Sequence, residues 1–212
     1  MLKTLKIIIF TTLLVSFNLS AKDSFLIQQL HEKYHNISYY QAEYIQSKNV
    51  PYISKPLITT GKLEFALGLG LIWEVNKPMW TKTLINESGV FKSTKYHKKQ
   101  KVKDRQIQVI AEIMTELLSA NLDKVESKFN LTLINEGDEQ GIWEVQLEPK
   151  GLLMKKALEK ITLKGISNEQ IKQSGITEII IIDKSNNITT IALDEKKLLK
   201  NILTNDIRKS FE

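Results

Sequence analysis

Six short stretches of this chain alternate apolar with polar residues, each bounded by turn-forming residues. Leu57, Leu63 and Phe65 share one parity while Lys62 and Glu64 take the other. Leu71, Trp73 and Val75 repeat the pattern, then Trp80 and Leu84, then Phe129, Leu131 and Leu133. Trp143, Val145 and Leu147 alternate with Glu144, Gln146 and Glu148, and Ile161 and Leu163 alternate with Thr162 and Lys164. A period of two puts successive side chains on opposite faces, so each stretch reads as a strand with one buried face. Asn76-Lys77-Pro78, Asn135-Glu136-Gly137-Asp138 and Lys184-Ser185-Asn186-Asn187 supply turns between them, and Gly68-Leu69-Gly70 reads as a tight turn. Strands and helices do not alternate as in a parallel βαβ sheet, which leaves an antiparallel one.

Ile179 to Ile182 is apolar at every position. It is either a strand covered on both faces or a strand with one face lining a ligand cavity.

Three segments carry a helical period instead. Asp23 to Asn36 has Leu26, Ile27, Leu30 and Tyr34 on one side, with Ser24 as a cap. Arg105 to Ala120 places Ile107, Ile110, Met114 and Leu117 on a stripe that Ile113 and Leu118 widen. A helix this apolar has to cover something, and the open face of a curved sheet is the natural partner. Leu152 to Leu158 offers a shorter second cover. The basic run Lys98, Lys99, Lys101, Lys103 leading into the middle helix is either a solvated loop or a docking site for acidic partners or headgroups.

Residues 1–21 read as a signal peptide. Lys3 and Lys6 precede an apolar run of about 13 residues, Ile7 to Leu19, and Ser20-Ala21 offers a cleavage site. The run is shorter than the roughly 20 residues needed to span a bilayer. The remaining residues 22–212 show no repeat or low-complexity linker and read as one domain. The chain has no cysteine, so neither a lipid-anchoring thiol nor a disulfide framework is available, and a hydrophobic core must hold the exported part together. The net charge is +6, of which the leader supplies two through Lys3 and Lys6. A residual charge of about four suits approach to anionic lipid, while nucleic acid is an unsuitable partner after export.

His31-Glu32-Lys33-Tyr34-His35 matches H-E-x-x-H, the helical zinc signature of metalloproteases. A catalytic zinc requires a third protein ligand. The remaining histidine, His97, lies among lysines, and no suitable carboxylate helix follows. Two surface histidines on an amphipathic helix explain the pattern better. There is no catalytic thiol, G-x-S-x-G elbow or phosphate-cradling glycine loop. We therefore expect no enzyme, no metal and no cofactor.

Three ordered segments resemble the outer-membrane lipoprotein carrier (LolA-like) family. They are Tyr44-Ile45-Gln46-Ser47-Lys48; Thr60-Gly61-Lys62-Leu63-Glu64-Phe65 with Leu71-Ile72-Trp73-Glu74 and Lys77-Pro78; and Trp143-Glu144-Val145-Gln146-Leu147-Glu148-Pro149-Lys150, completed by Ile161-Thr162-Leu163-Lys164-Gly165. The resemblance implies an α+β, mainly antiparallel fold: a curved, incomplete barrel of about eleven strands with helices covering the concave face. It implies a monomeric periplasmic carrier that binds acyl chains of lipoproteins or a related amphiphile. Such a carrier takes cargo from an inner-membrane transporter and passes it to an outer-membrane acceptor. The other functional class compatible with the sequence is a non-enzymatic periplasmic adaptor of an envelope biosynthesis or export system. The expected cavity wall comprises Leu63, Phe65, Trp73, Trp80, Leu84, Phe129, Leu131, Trp143 and Val145, with Ile110, Met114 and Leu117 on the covering helix. The turn Ala66 to Gly70 lacks the arginine that gates the cavity in standard carriers, which marks a divergent member.

Overall fold

Ile37–Asn49, rich in aromatic and β-branched residues, forms the long strand β1 about which the sheet is organised. The structure is a computed structural model that describes residues 37–103, 115–116, 122–135, 141–168, 173–200 and 203–212. The leader, the Asp23–Asn36 helix with its H-E-x-x-H motif, and the middle helix apart from Thr115 and Glu116 lie outside the described residues.

After β1 come β2 (Leu57–Ala66), β3 (Gly70–Lys77), β4 (Thr81–Asn86), β5 (Gly89–Thr94) and β6 (Gln100–Lys101). The short helix α1 (Leu122–Lys128) leads into β7 (Phe129–Asn135) and β8 (Ile142–Pro149). Helix α2 (Leu152–Ala157) precedes β9 (Leu158–Asn168), β10 (Gln173–Asp183) and β11 (Ile188–Lys200), and α3 (Asn205–Ser210) follows. The order across the sheet is β6-β5-β4-β3-β2-β1-β11-β10-β9-β8-β7, with antiparallel pairing throughout. Two meanders thus meet where β1 pairs with β11, and β6 and β7 remain at the two edges. This is the open, mainly antiparallel eleven-stranded sheet that the alternating segments and the resemblance led us to expect.

Cross-strand partners share a face, so the register sorts the apolar residues. Leu63 opposes Trp73, and Leu71 opposes Ile85. These belong to the large cluster that runs through Tyr40, Ala42, Tyr44, Phe65, Ile191, Ile179, Leu163, Trp143, Leu147 and Phe129. Val125 of α1 is buried in it, and Met154 and Ala157 of α2 pack against it. The opposite face carries a smaller cluster of Tyr39, Ala66, Ile72 and Leu84, covered by Ile207 and Phe211 at the C-terminal end. The Thr204 hydroxyl accepts a hydrogen bond from the Ile207 amide at the start of α3, and Lys82 Nζ donates to the Ser210 carbonyl at its end, 2.6 Å away. Both contacts satisfy helix-terminal backbone groups.

The turns follow the sequence signals. Leu69 N donates to the Ala66 carbonyl at 3.0 Å, with Gly68 at φ 75°, a left-handed conformation that glycine adopts without a Cβ penalty. Between β10 and β11 the Asp183 carboxylate accepts from the Ser185 and Asn187 amides and from the Asn187 side chain. Burial opposes ionisation of Asp183, but those hydrogen bonds outweigh it and hold the carboxyl below its usual range. The Leu152–Leu158 segment is helical only to Ala157, and Leu158 already opens β9. Leu57 shares the parity of Leu63 but stands at the open end of β2, where it is exposed.

Candidate functional site

Trp73 of β3 and Ile181 of β10 line one cavity although β2, β1 and β11 stand between their strands. In a flat sheet the four spacings would hold them about 19 Å apart. Rolling of the sheet toward the face of the large cluster brings them together. The cavity has a volume of about 410 Å³, within the range of about 300–1,000 Å³ typical of small-molecule sites.

Five strands contribute to its walls, and the register of β1, β11 and β10 sets its centre. Gln46 opposes Ile191 and Lys48 opposes Thr189 across β1 and β11, while Ile179 opposes Ile191 and Ile181 opposes Thr189 across β10 and β11. These residues therefore project from one face. Trp73, Ala157, Leu158, Ile181 and Ile191 give the cavity an apolar floor. Its rim is polar, with Gln46, Lys48, Lys156, Asp183, Lys184 and Asn187. Three lysines thus face one carboxylate at the rim, and that carboxylate is already engaged by its own turn. Lys184 is bonded to Glu159 beside the opening.

Trp73 packs against Tyr44. The rings meet edge to face, 5.5 Å between centroids and 72° between planes, the arrangement that aromatic quadrupoles favour. The Tyr44 hydroxyl is buried with no hydrogen-bond partner among the described residues. Burial pushes its pKa up to about 12, and the Trp73 indole beside it opposes the rise only in part.

The expected wall residues divide into four groups. Trp73 lines this cavity. Leu63, Phe65, Phe129, Trp143 and Val145 are buried in the large cluster on the same face, and Leu131 packs partly buried against it. Trp80 precedes β4 and stands exposed, and Leu84 points to the opposite face with Ile207 and Phe211, which departs from the expected wall. The reason is register: Ile85, not Leu84, opposes Leu71. Ile110, Met114 and Leu117 lie outside the described residues.

Most of the cavity lining was missed in sequence, because β1, α2 and the β10–β11 turn supply it. The one available signal was the doubly apolar Ile179–Ile182. Ile179 and Ile181 face the large cluster, and Ile181 reaches the cavity. Among the described residues, no group of three histidine, cysteine or acidic side chains is placed to hold a metal, and no helix is long and apolar enough to cross a membrane.

No protein-family model matches the chain, and no curated protein matches it. Solved structures do. A DUF1329 family protein from Desulfovibrio piger superposes with a TM-score of 0.49 at 10% identity, over 90% of this chain and 95% of that one. A LolA superfamily protein from Nitrosomonas europaea gives 0.44 at 12% identity, over 85% and 96%. A candidate outer membrane lipoprotein-sorting protein domain from Vibrio parahaemolyticus gives 0.50 at 8% identity, covering 87% of this chain and 95% of that domain. With its rolled, open, antiparallel sheet, the chain shares the fold of that lipoprotein-sorting domain.

Proposed function

We propose that the protein is a non-enzymatic periplasmic carrier that holds the acyl chain of a lipoprotein or a related amphiphile in the cavity between Trp73 and Ile181. The observation that carries this reading is an apolar floor beneath a lysine-rich rim in one cavity of about 410 Å³. An acyl chain is retained by buried area, about 0.8 kcal/mol for each methylene removed from water. Eight methylenes therefore contribute about 6 kcal/mol without any directed bond. The polar rim lets the head of the same molecule stay hydrated. The leader-like first 21 residues support export, and the shared fold supports carriage from an inner-membrane donor to an outer-membrane acceptor.

The test is uptake of a fluorescent fatty acid. Thr189 borders the cavity and is not part of the buried core, so Thr189→Trp fills the space while leaving the core intact. Probe affinity should fall at least tenfold with an unchanged melting curve. Undiminished probe binding by a folded Thr189→Trp protein rejects the cavity as the cargo site.

A further inference from the structure

The strand register gathers the β1–β2, β3–β4, β5–β6, β8–β9 and β10–β11 connections at one end of the sheet. Lys48 opposes Leu57 at the β1–β2 loop, and Val75 opposes Thr81 at the β3–β4 loop. Ile182 opposes Ile188 at the β10–β11 turn, and Leu147 opposes Ile161 beside α2. The cavity opens at this same end, since Lys48, Lys156, Asp183 and Lys184 form its rim. The connections around that mouth expose large apolar side chains. Tyr52 is fully exposed, Leu152 is 81% exposed and Met79 74%, with Ile53 and Leu153 each at least half exposed. Solvent exposure of this kind, gathered in one region, marks an interaction surface.

Tyr52 is held out deliberately. Ile53 N donates to the Val50 carbonyl at 3.1 Å across Pro51-Tyr52, and Tyr52 has φ 75°. A bulky residue rarely takes this position, where glycine or asparagine is usual. The turn keeps the ring at its tip and away from the core.

Lysine is the commonest charged residue around these tips. Lys55, Lys77, Lys155 and Lys156 are exposed there. Among the described residues at this end, the acidic side chains are Asp183, bound by its turn, Glu159, bound by Lys184, Glu148, which accepts from the Gln146 side chain, and Glu126 of α1. Separate aromatic and aliphatic tips flanked by exposed lysines suit a lipid interface: tyrosine and leucine enter the headgroup boundary while lysines meet anionic phosphates. Protein interfaces, by contrast, are depleted in lysine and present a continuous packed patch.

We infer that this rim is a docking surface for an anionic phospholipid bilayer, which it meets with the cavity mouth facing the membrane. This goes beyond the carrier reading and does not depend on it. Docking in this orientation lets an amphiphile pass between bilayer and cavity without crossing bulk water.

The experiment is vesicle flotation, with parent and variants sharing one N-terminal boundary so that any contribution from that end cancels. The protein should float with vesicles of phosphatidylcholine and phosphatidylglycerol, bind phosphatidylcholine alone at least tenfold more weakly, and be released by salt. The double variant Leu152→Glu, Leu153→Glu alters exposed side chains on α2 and should lose at least tenfold in vesicle binding. It should keep its melting curve and its uptake of the fatty-acid probe. Leu67→Glu, on the exposed β2–β3 turn at the other end, should bind vesicles like the parent. Failure of the parent to float, or equal flotation of the double variant, overturns the proposal. So does loss of cross-linking to a membrane protein in a double variant whose parent ignores vesicles, which assigns the rim to protein docking. Retained probe uptake in any of these cases leaves the carrier reading standing.

Discussion

The Trp143 indole occupies the space that a side chain at position 165 would need: a Cβ built on Gly165 would stand 2.0 Å from Trp143 Cζ2 and 2.3 Å from the Gly175 carbonyl oxygen. The two residues are direct partners across β8 and β9. The Trp143 side chain is buried in the large cluster. The Gly175 carbonyl is backbone and the Trp143 ring is 1% exposed, so a Cβ there must displace one of them. Gly165→Ala should therefore destabilise the protein by about 2 kcal/mol or more, in the upper part of the overpacking range. Urea unfolding would show it as a lower midpoint with an unchanged slope.

Leu84 separates the two faces of the sheet experimentally. It is buried against Ile207 and Phe211, away from the cavity. Leu84→Ala should cost about 2–5 kcal/mol, as buried leucine truncations do. At a temperature where it remains folded, it should bind the fatty-acid probe as the parent does. A binding defect in the folded variant would place Leu84 in the cavity wall after all.

Tyr52 combines exposure with an unfavourable backbone. Left-handed φ costs a side-chain-bearing residue roughly 1–2 kcal/mol, and asparagine tolerates it better. Tyr52→Asn should raise stability by up to about 1 kcal/mol while weakening vesicle binding. Thermal melting and flotation of the same sample would show the two effects moving in opposite directions.

Alkaline pH should unfold the protein through three groups. Burial raises Tyr44 from 10.0 to about 12. Burial raises Tyr39 above the ordinary tyrosine range too, aided by its hydrogen bond to Glu64 at 2.8 Å and by the charge of that carboxylate. Lys62 is raised mainly by its bond to the same Glu64, 2.5 Å away. All three folded values lie above the unfolded ones. Their stabilisation is complete below pH 10.0 and is lost as pH climbs through the raised values. Tyrosinate absorbance of Tyr39 and Tyr44 should therefore appear together with loss of the β-sheet circular dichroism signal, not before it. Tyr44→Phe removes a buried hydroxyl that has no hydrogen-bond partner among the described residues, so it should retain stability at neutral pH and unfold at a higher pH.

Sequence alone determined the antiparallel class and much of the buried face. Leu63, Phe65, Leu71, Trp143, Val145, Leu147, Ile161 and Leu163 were legible from period two, and all are buried in one cluster. Alternation is a local property that follows from strand geometry, so it survives without tertiary information. Alternation put Leu84 with Trp80 on the expected wall, but the pairing of Leu71 with Ile85 turns Leu84 to the opposite face. A single step in register exchanges the two faces of a strand.

The cavity belongs to tertiary structure alone. Trp73, Leu158, Ile181 and Ile191 come from four strands, and no spacing in the chain announces that they meet. The pairing of β1 with β11 joins the two meanders into one sheet, and its roll carries β3 toward β10. What a strand's own residues dictate is which side they face; what they enclose depends on strands distant in sequence.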